Sequence, residues 1–219
     1  MIANTAISGK NADISKDKFC DIVVMAINRI TESDGTVDIK HVTVEKKVGG
    51  SVDDSMLVEG MVIDKERANP AMPKEVKNAK ILLLNAAVEF KKTEVNAKIN
   101  ISRPDEMQAF VDEDEQMVHT MTDKVIASGV NVVFCQKGID DMVQHFLSKE
   151  GIIAARRVKE SDMEKLARAT GGRIVSNLDD LKATDLGVAG IVEERKIGED
   201  KMIFVEKCKD PHSVAILIR

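Results

Sequence analysis

The chain has 219 residues, 43% of them apolar and 32% charged, with a net charge of −5. That is enough for one sizeable domain or a domain plus a smaller lobe, with a packed core and a charged surface. The acidic balance, no Trp, no Tyr and only six Phe argue against nucleic-acid partners, whose bases need cationic grooves and aromatic platforms.

The N-terminal stretch MIANTAISGKNADISKDK lacks a signal-peptide core. In residues 14–30, Phe19, Ile22, Val23, Ala26 and Ile30 recur at helical spacing, predicting an amphipathic helix with one buried stripe. Asp21 and Arg29 interrupt its apolar run, which falls far short of the ~20 residues of a membrane span. HVTVEKKV (41–48) alternates and is β-branched, as a strand requires. GGSVDD (49–54) is the best candidate for a hinge or lobe boundary, because paired glycines free the backbone.

MLVEGMVID (56–64) reads as one strand, and KERANPAMPKEV (65–76) as a loop in which Pro70 and Pro73 exclude regular helix. AKILLLNAAVEF (79–90) is nearly continuous in apolar residues, predicting a strand buried on both faces. NAKINI (96–101) alternates as a further strand. Pro104, Asp105 and Glu106 suit a helix start, and Gly129 suits its end. Between them Met107, Phe110, Val111, Met117, Val118, Met121 and Val125 form a stripe, beside the acidic run Asp112, Glu113, Asp114 and Glu115. Strand and helix then alternate: VNVVFC, the helix 139–149, IIAAR, and a helix over 161–170 with Ser161 and Glu164 placed as a capping box. GGRIV closes that unit. GIVEERKI, KMIFVEK and SVAILI read as strands.

Neither GxxxxGK[ST] nor GxGxxG is present. The corner CQKGIDD opens its helix with Asp140 and Asp141, carboxylates that suit the helix dipole and repel phosphate. Cys20, Cys135 and Cys208 are odd in number and far apart, which points to a reducing cytoplasm. Cys135 and His145 as a catalytic pair compete with the commoner buried, inert thiol. His41, His119, His145 and His212 lack metal-ligand spacing, so no metal site is expected. Periodicity alone leaves the Met- and Phe-bearing face of 104–128 open between core and exposed contact, for which flexible Met side chains are suited.

Long ordered strings carry a family resemblance. NVVFCQKGIDDMVQHFLSKEGIIAARRVKESDMEKLARATGGRIV, DLG and VEERKIGEDKMIFVEKCKDPHSVAILIR resemble the apical domain of group II chaperonins, the archaeal thermosome and its eukaryotic cytosolic relatives. TAISGKNA, GGSVDD, VEGMVIDKERANPAMPKEVKNAKILLLNAAVEFKKTE and QAFVDEDEQMVHTMTDKVIASG resemble the same family. The resemblance implies an α/β fold of the swivelling β/β/α apical type with a long helical protrusion, plus a partial α+β intermediate domain. Its divisions would be 1–58 (partial intermediate domain), 59–213 (apical domain, protrusion about 91–128) and 214–219 (return strand).

In that family, ATP and Mg bind an equatorial domain with a phosphate loop like GDGTT, which is absent here, and the catalytic aspartate follows the apical domain. The resemblance therefore implies an excised piece with no ATPase activity and no cofactor of its own. It implies client contact by Met107, Phe110, Val111 and Met117 on the protrusion. It also implies contact by Gln144, His145, Ser148 and Lys149 on helix 139–149, and by Arg67 and Met72 in the loop before the long strand. Lys10 in ISGKNA would sense the nucleotide γ-phosphate in the intact ring. The expected partners are non-native polypeptides and, in a full-length double ring, other chaperonin subunits, with neither nucleic acid nor membrane. The alternative is a stand-alone small-ligand or nucleotide-binding α/β domain cradling its ligand at 130–151.

Overall fold

The computed structural model describes residues 2–8, 15–32, 34–89, 116, 118–210 and 213–219. Two helices open the chain, α1 (Ile2–Ile7) and α2 (Lys16–Ile30). α2 lies on a three-stranded sheet of β1 (Val42–Lys46), β2 (Met56–Val58) and β10 (Val214–Ile218). Its order is β1-β10-β2, with β1 parallel and β2 antiparallel to β10. The central strand of this sheet thus comes from the far end of the chain. Ile22, Ala26 and Ile30 are buried as the periodicity predicts, but Val23 is exposed. The apolar surface available to α2, from Val42, Leu57, Val214 and Ile216, is narrow, and a residue turned ~100° from Ile22 falls outside it.

The run 56–64 is two strands, not one. It breaks after β2, and β3 (Gly60–Ile63) enters a second, seven-stranded sheet. Gly60 has φ +141°, and a Cβ there would overlap the Val205 carbonyl oxygen, so the crossing needs glycine. The predicted hinge at 49–54 is therefore misplaced. Gly49 and Gly50 lead into a short 3₁₀ turn capped by Ser51, within the link between β1 and β2 of one sheet. The chain changes sheets at Glu59–Gly60 and is back in the small sheet at β10.

The larger sheet holds β4 (Glu75–Leu84), β5 (Val132–Cys135), β6 (Ile153–Ala155), β7 (Ile174–Val175), β8 (Gly187–Ile197) and β9 (Asp200–Cys208). Its order is β3-β9-β8-β4-β5-β6, with β7 also against β4. β4 joins an antiparallel half to a parallel one: Glu75–Ile81 runs against β8, and Ile81–Leu84 runs with β5. Pairing with β8 draws the polar residues Glu75, Lys77 and Asn78 into the strand along with Val76, so β4 starts and ends earlier than the apolar run 79–90 suggests. Past Leu84 the chain turns, and Val88 bridges Ile139.

Helices α3 (118–127), α4 (Asp141–Lys149) and α5 (Glu160–Thr170) make the crossovers between the parallel strands. Strand alternation divides the core into two layers. Ile81, Leu83, Val132 and Phe134 pack with Met163 and Leu166 of α5; Leu82, Leu84, Val133 and Cys135 pack with Val118, Val125, Val143 and Leu147 of α3 and α4. The predicted Ser161–Glu164 capping box is not formed. The Lys159 carbonyl already accepts from the Asp162 and Met163 amides, so Ser161 lies inside α5, not at its cap. The strand expected at 96–101 and the first half of the helix expected over 104–128 lie outside the described residues.

Candidate functional site

The corner between β5 and α4 is closed by the chain itself. The strand order reverses between β4 and β7, where α/β sheets often hold ligands beyond their carboxyl ends. Here the segment after β4 crosses that end. Asn85 donates to the Val175 carbonyl (2.8 Å), Val88 to Gly138 (3.1 Å), and Asp140 to Val88 (2.8 Å). A Cβ on Gly138 would overlap the Glu89 carboxylate. The Asp140 carboxylate accepts from the Met142 amide at 2.9 Å and caps α4. With Glu89, Asp140 and Asp141 around the first turn, the position a phosphate would take is already occupied by negative charge. These residues do not fit a nucleotide. Cys135 Sγ lies 3.2 Å from the Ala86 carbonyl, and burial pushes its thiol up to about 11. It is a protonated core thiol at neutral pH, unsuited to nucleophilic attack. Among the described residues no cluster of three or more His, Cys, Asp or Glu could hold a metal ion.

α4 has two unlike sides. Val143 and Leu147 point into the core. Gln144, expected on the contact face, is 3% exposed. Its Nε2 donates to the Ile139 carbonyl (2.7 Å) and to Asp141 Oδ1 (3.0 Å), so it fastens the helix start from inside. His145 and Lys149 are exposed; Ser148 is half-buried and donates to the His145 carbonyl at 2.7 Å. Met142, 41% exposed, and Phe146 complete this side. The Phe146 ring lies 4.2 Å from the His119 ring of α3 and 5.9 Å from that of His145, with Lys149 Nζ 5.8 Å from its centroid. Met142, Phe146 and His119 were missed from the sequence, although 142, 145/146 and 149 share one helical stripe.

Arg67 and Met72 are also corrected. Arg67 is 9% exposed; its Nε donates to Glu194 Oε2 and its amide to Glu194 Oε1, both at 3.0 Å, while Nη1 reaches the Met72 carbonyl. Met72 is 2% exposed and packs into the core beneath α3 and α4, its Sδ 3.3 Å from the Ala154 amide. Both residues brace the 65–74 loop and leave no side chain free to meet a partner. Met107, Phe110, Val111, Met117 and Lys10 lie outside the described residues.

In this mixed α/β framework the chain itself crosses the strand end where a nucleotide would sit, and the amphipathic α4 presents Met142, His145, Phe146 and Lys149 on its outward side. The chain belongs to the TCP-1/cpn60 chaperonin family, whose model matches residues 1–219. Among curated relatives, it is 56% identical to a thermosome subunit of Methanopyrus kandleri over all of this chain and 41% of the relative. It is 54% identical to the thermosome subunit alpha of Thermoplasma acidophilum, over all of this chain and 41% of that protein. The open-state monomer of a group II chaperonin from Methanococcoides burtonii superposes with a TM-score of 0.80 at 44% identity, over 99% of this chain and 49% of that one. The chain thus spans less than half the length of these relatives.

Proposed function

We propose that this chain is the client-binding part of a group II chaperonin: an apical domain at about 59–213, with residues 1–58 and 214–219 forming part of an intermediate domain. The passage between sheets at Glu59–Gly60 and the return of β10 to the small sheet support that division. The observation that carries the function is the outward side of α4, where Met142, His145, Phe146 and Lys149 offer apolar, aromatic and cationic contacts on a rigidly capped helix. Non-native polypeptides vary in sequence but share exposed apolar groups, and a flexible, mixed surface suits them. Met107, Phe110, Val111 and Met117 would extend this surface along the protrusion, which would close a folding chamber in the ATP-driven double ring. ATP and Mg, held elsewhere in the full-length family, would supply the energy of closure. The corner residues here bind neither, and the chain by itself is a passive binder acting in the cytoplasm.

Suppression of aggregation of a chemically denatured client tests this reading. The chain is expected to protect weakly and equally with or without ATP, because single contacts lack the avidity of a ring. Met142→Ser combined with His145→Ala should reduce protection while leaving the fold intact. Full protection by that folded double variant would reject α4 as the contact surface. The small-ligand alternative predicts stabilisation in a thermal-shift series with ATP, ADP and dinucleotides, and none is expected.

A further inference from the structure

The two covalent links between the sheets lie at one end of their contact. Gly60, where the chain enters the larger sheet, pairs with Glu206 near the end of β9. Val58, the last residue of β2, pairs with Ala215, beside the point where the chain re-enters the small sheet at Val214. Beyond the links the sheets share the apolar cluster of Val58, Val62, Met202, Phe204, Ala215 and Leu217. The far end is closed by a charge. Lys47 follows β1, its amide donating to the Ile218 carbonyl at 2.9 Å. Ile218 is about 13 Å along β10 from Val214, at about 3.3 Å per residue. Lys47 Nζ lies 2.8 Å from Asp64 Oδ1 and 2.8 Å from Asp200 Oδ2. Asp64 follows β3, and Asp200 opens β9, about 20 Å along that strand from Glu206. Both carboxylates belong to the larger unit and the ammonium to the smaller.

We propose that Lys47 is a latch: the two links form a double hinge, and seating of the Lys47 ammonium between Asp64 and Asp200 fixes the small sheet on the larger one at the end away from that hinge. Leverage carries the argument. A contact beside the links restrains a rotation that the backbone already limits, whereas a contact far from them stops it with the longest arm. Apolar burial is non-directional and tolerates a small tilt. A charge-assisted hydrogen bond fixes distance and direction, and Lys47 makes its bonds to two separate segments of the larger unit. Its side chain is only 16% exposed, so water competes weakly for the ammonium. The two carboxylate oxygens stand no further apart than twice the Nζ distance. With the ammonium withdrawn they repel one another, and the socket opens. Arg29 and Glu59 also pair at 2.8 Å, but at the linked end, where an ion pair adds little to what the backbone already holds.

Residual dipolar couplings on the isotopically labelled 219-residue chain test the latch, because two rigidly joined sheets align with one tensor and loosely joined ones do not. The unaltered chain should show one tensor for both sheets. Lys47→Met should lower the order of the small sheet relative to the large one by about a third or more, as a shift in a two-state population would. Arg29→Met, which removes the pair at the linked end, should leave that order unchanged. Unaltered β4 and β5 amide shifts would confirm the fold of each variant. A single tensor in folded Lys47→Met overturns the latch, and so does an equal loss of order in Arg29→Met. Separate tensors in the unaltered chain overturn it as well. Should Lys47→Met fail to fold, Asp200→Asn decides, since it changes a side chain that is 58% exposed: a smaller loss of order supports the latch, and no loss overturns it.

Discussion

Phe134 and Ile30 are both almost wholly buried, 0% and 1% exposed, yet they sit in cores of different kinds. Phe134 lies on β5, whose two faces meet separate apolar layers, one under α5 and the other under α3 and α4. Ile30 ends α2 and shares a small cluster with Ala26 and Val214, edged by Val42, Leu57 and Ile216. Beyond it α2 leaves Val23, Val24, Met25 and Ile27 exposed, and the neighbouring strands and loops leave Val44, Val48, Val52 and Met56 exposed. The larger sheet covers itself with its own crossover helices. The smaller sheet is covered by α2 on one side and meets the larger unit through a buried apolar cluster of Val58, Ala215 and Leu217 with Val62, Met202 and Phe204, and through the ion pairs of Lys47 with Asp64 and Asp200.

Substitutions can break or sharpen that contrast. Phe134→Ala should lose about 3–5 kcal/mol in urea unfolding, and Ile30→Ala about 2 kcal/mol, since the smaller cluster can collapse more readily into the space. Equal losses would erase the distinction. Gln144→Ala strips the Ile139 carbonyl and Asp141 of an internal donor and should cost about 1–2 kcal/mol. Faster amide exchange in the first turn of α4 would accompany that loss; unaltered exchange and stability would return Gln144 to the outer surface. Smallest of all, Met25→Ser should shift stability by less than about 0.5 kcal/mol, because Met25 is 53% exposed. A larger loss would mean that α2 has a partner on that face in solution.

Much of the larger sheet was readable because residues buried on both faces leave unbroken apolar runs: ILLL before the turn at Asn85, VVFC, and IAA. α2, α4 and α5 were readable from helical spacing. The candidate site was less so. Within α4, the stripe 142, 145/146 and 149 was available from spacing, but Gln144 looked equally polar and equally exposed. Its burial depends on an amide folding back to Ile139, a contact that hydropathy does not encode. Arg67 shows the same difficulty over a greater distance: its charge reads as surface until Glu194, 127 residues further on, comes into reach.

By itself, the sequence determined the alternation of strands and helices, the doubly buried strands, the acidic start of α4 that disfavours phosphate, and the strings shared with group II chaperonins. Those are local properties of pattern and chemistry. The tertiary structure alone decided that the run 56–64 divides between two sheets at Gly60, that β10 returns to the middle of the small sheet, and that Arg67, Met72 and Gln144 face inward. It also brought Lys47 against Asp64 and Asp200 of the larger unit. Each of these depends on partners far away in the chain, and an isolated stretch of sequence contains no term for a partner it has yet to meet.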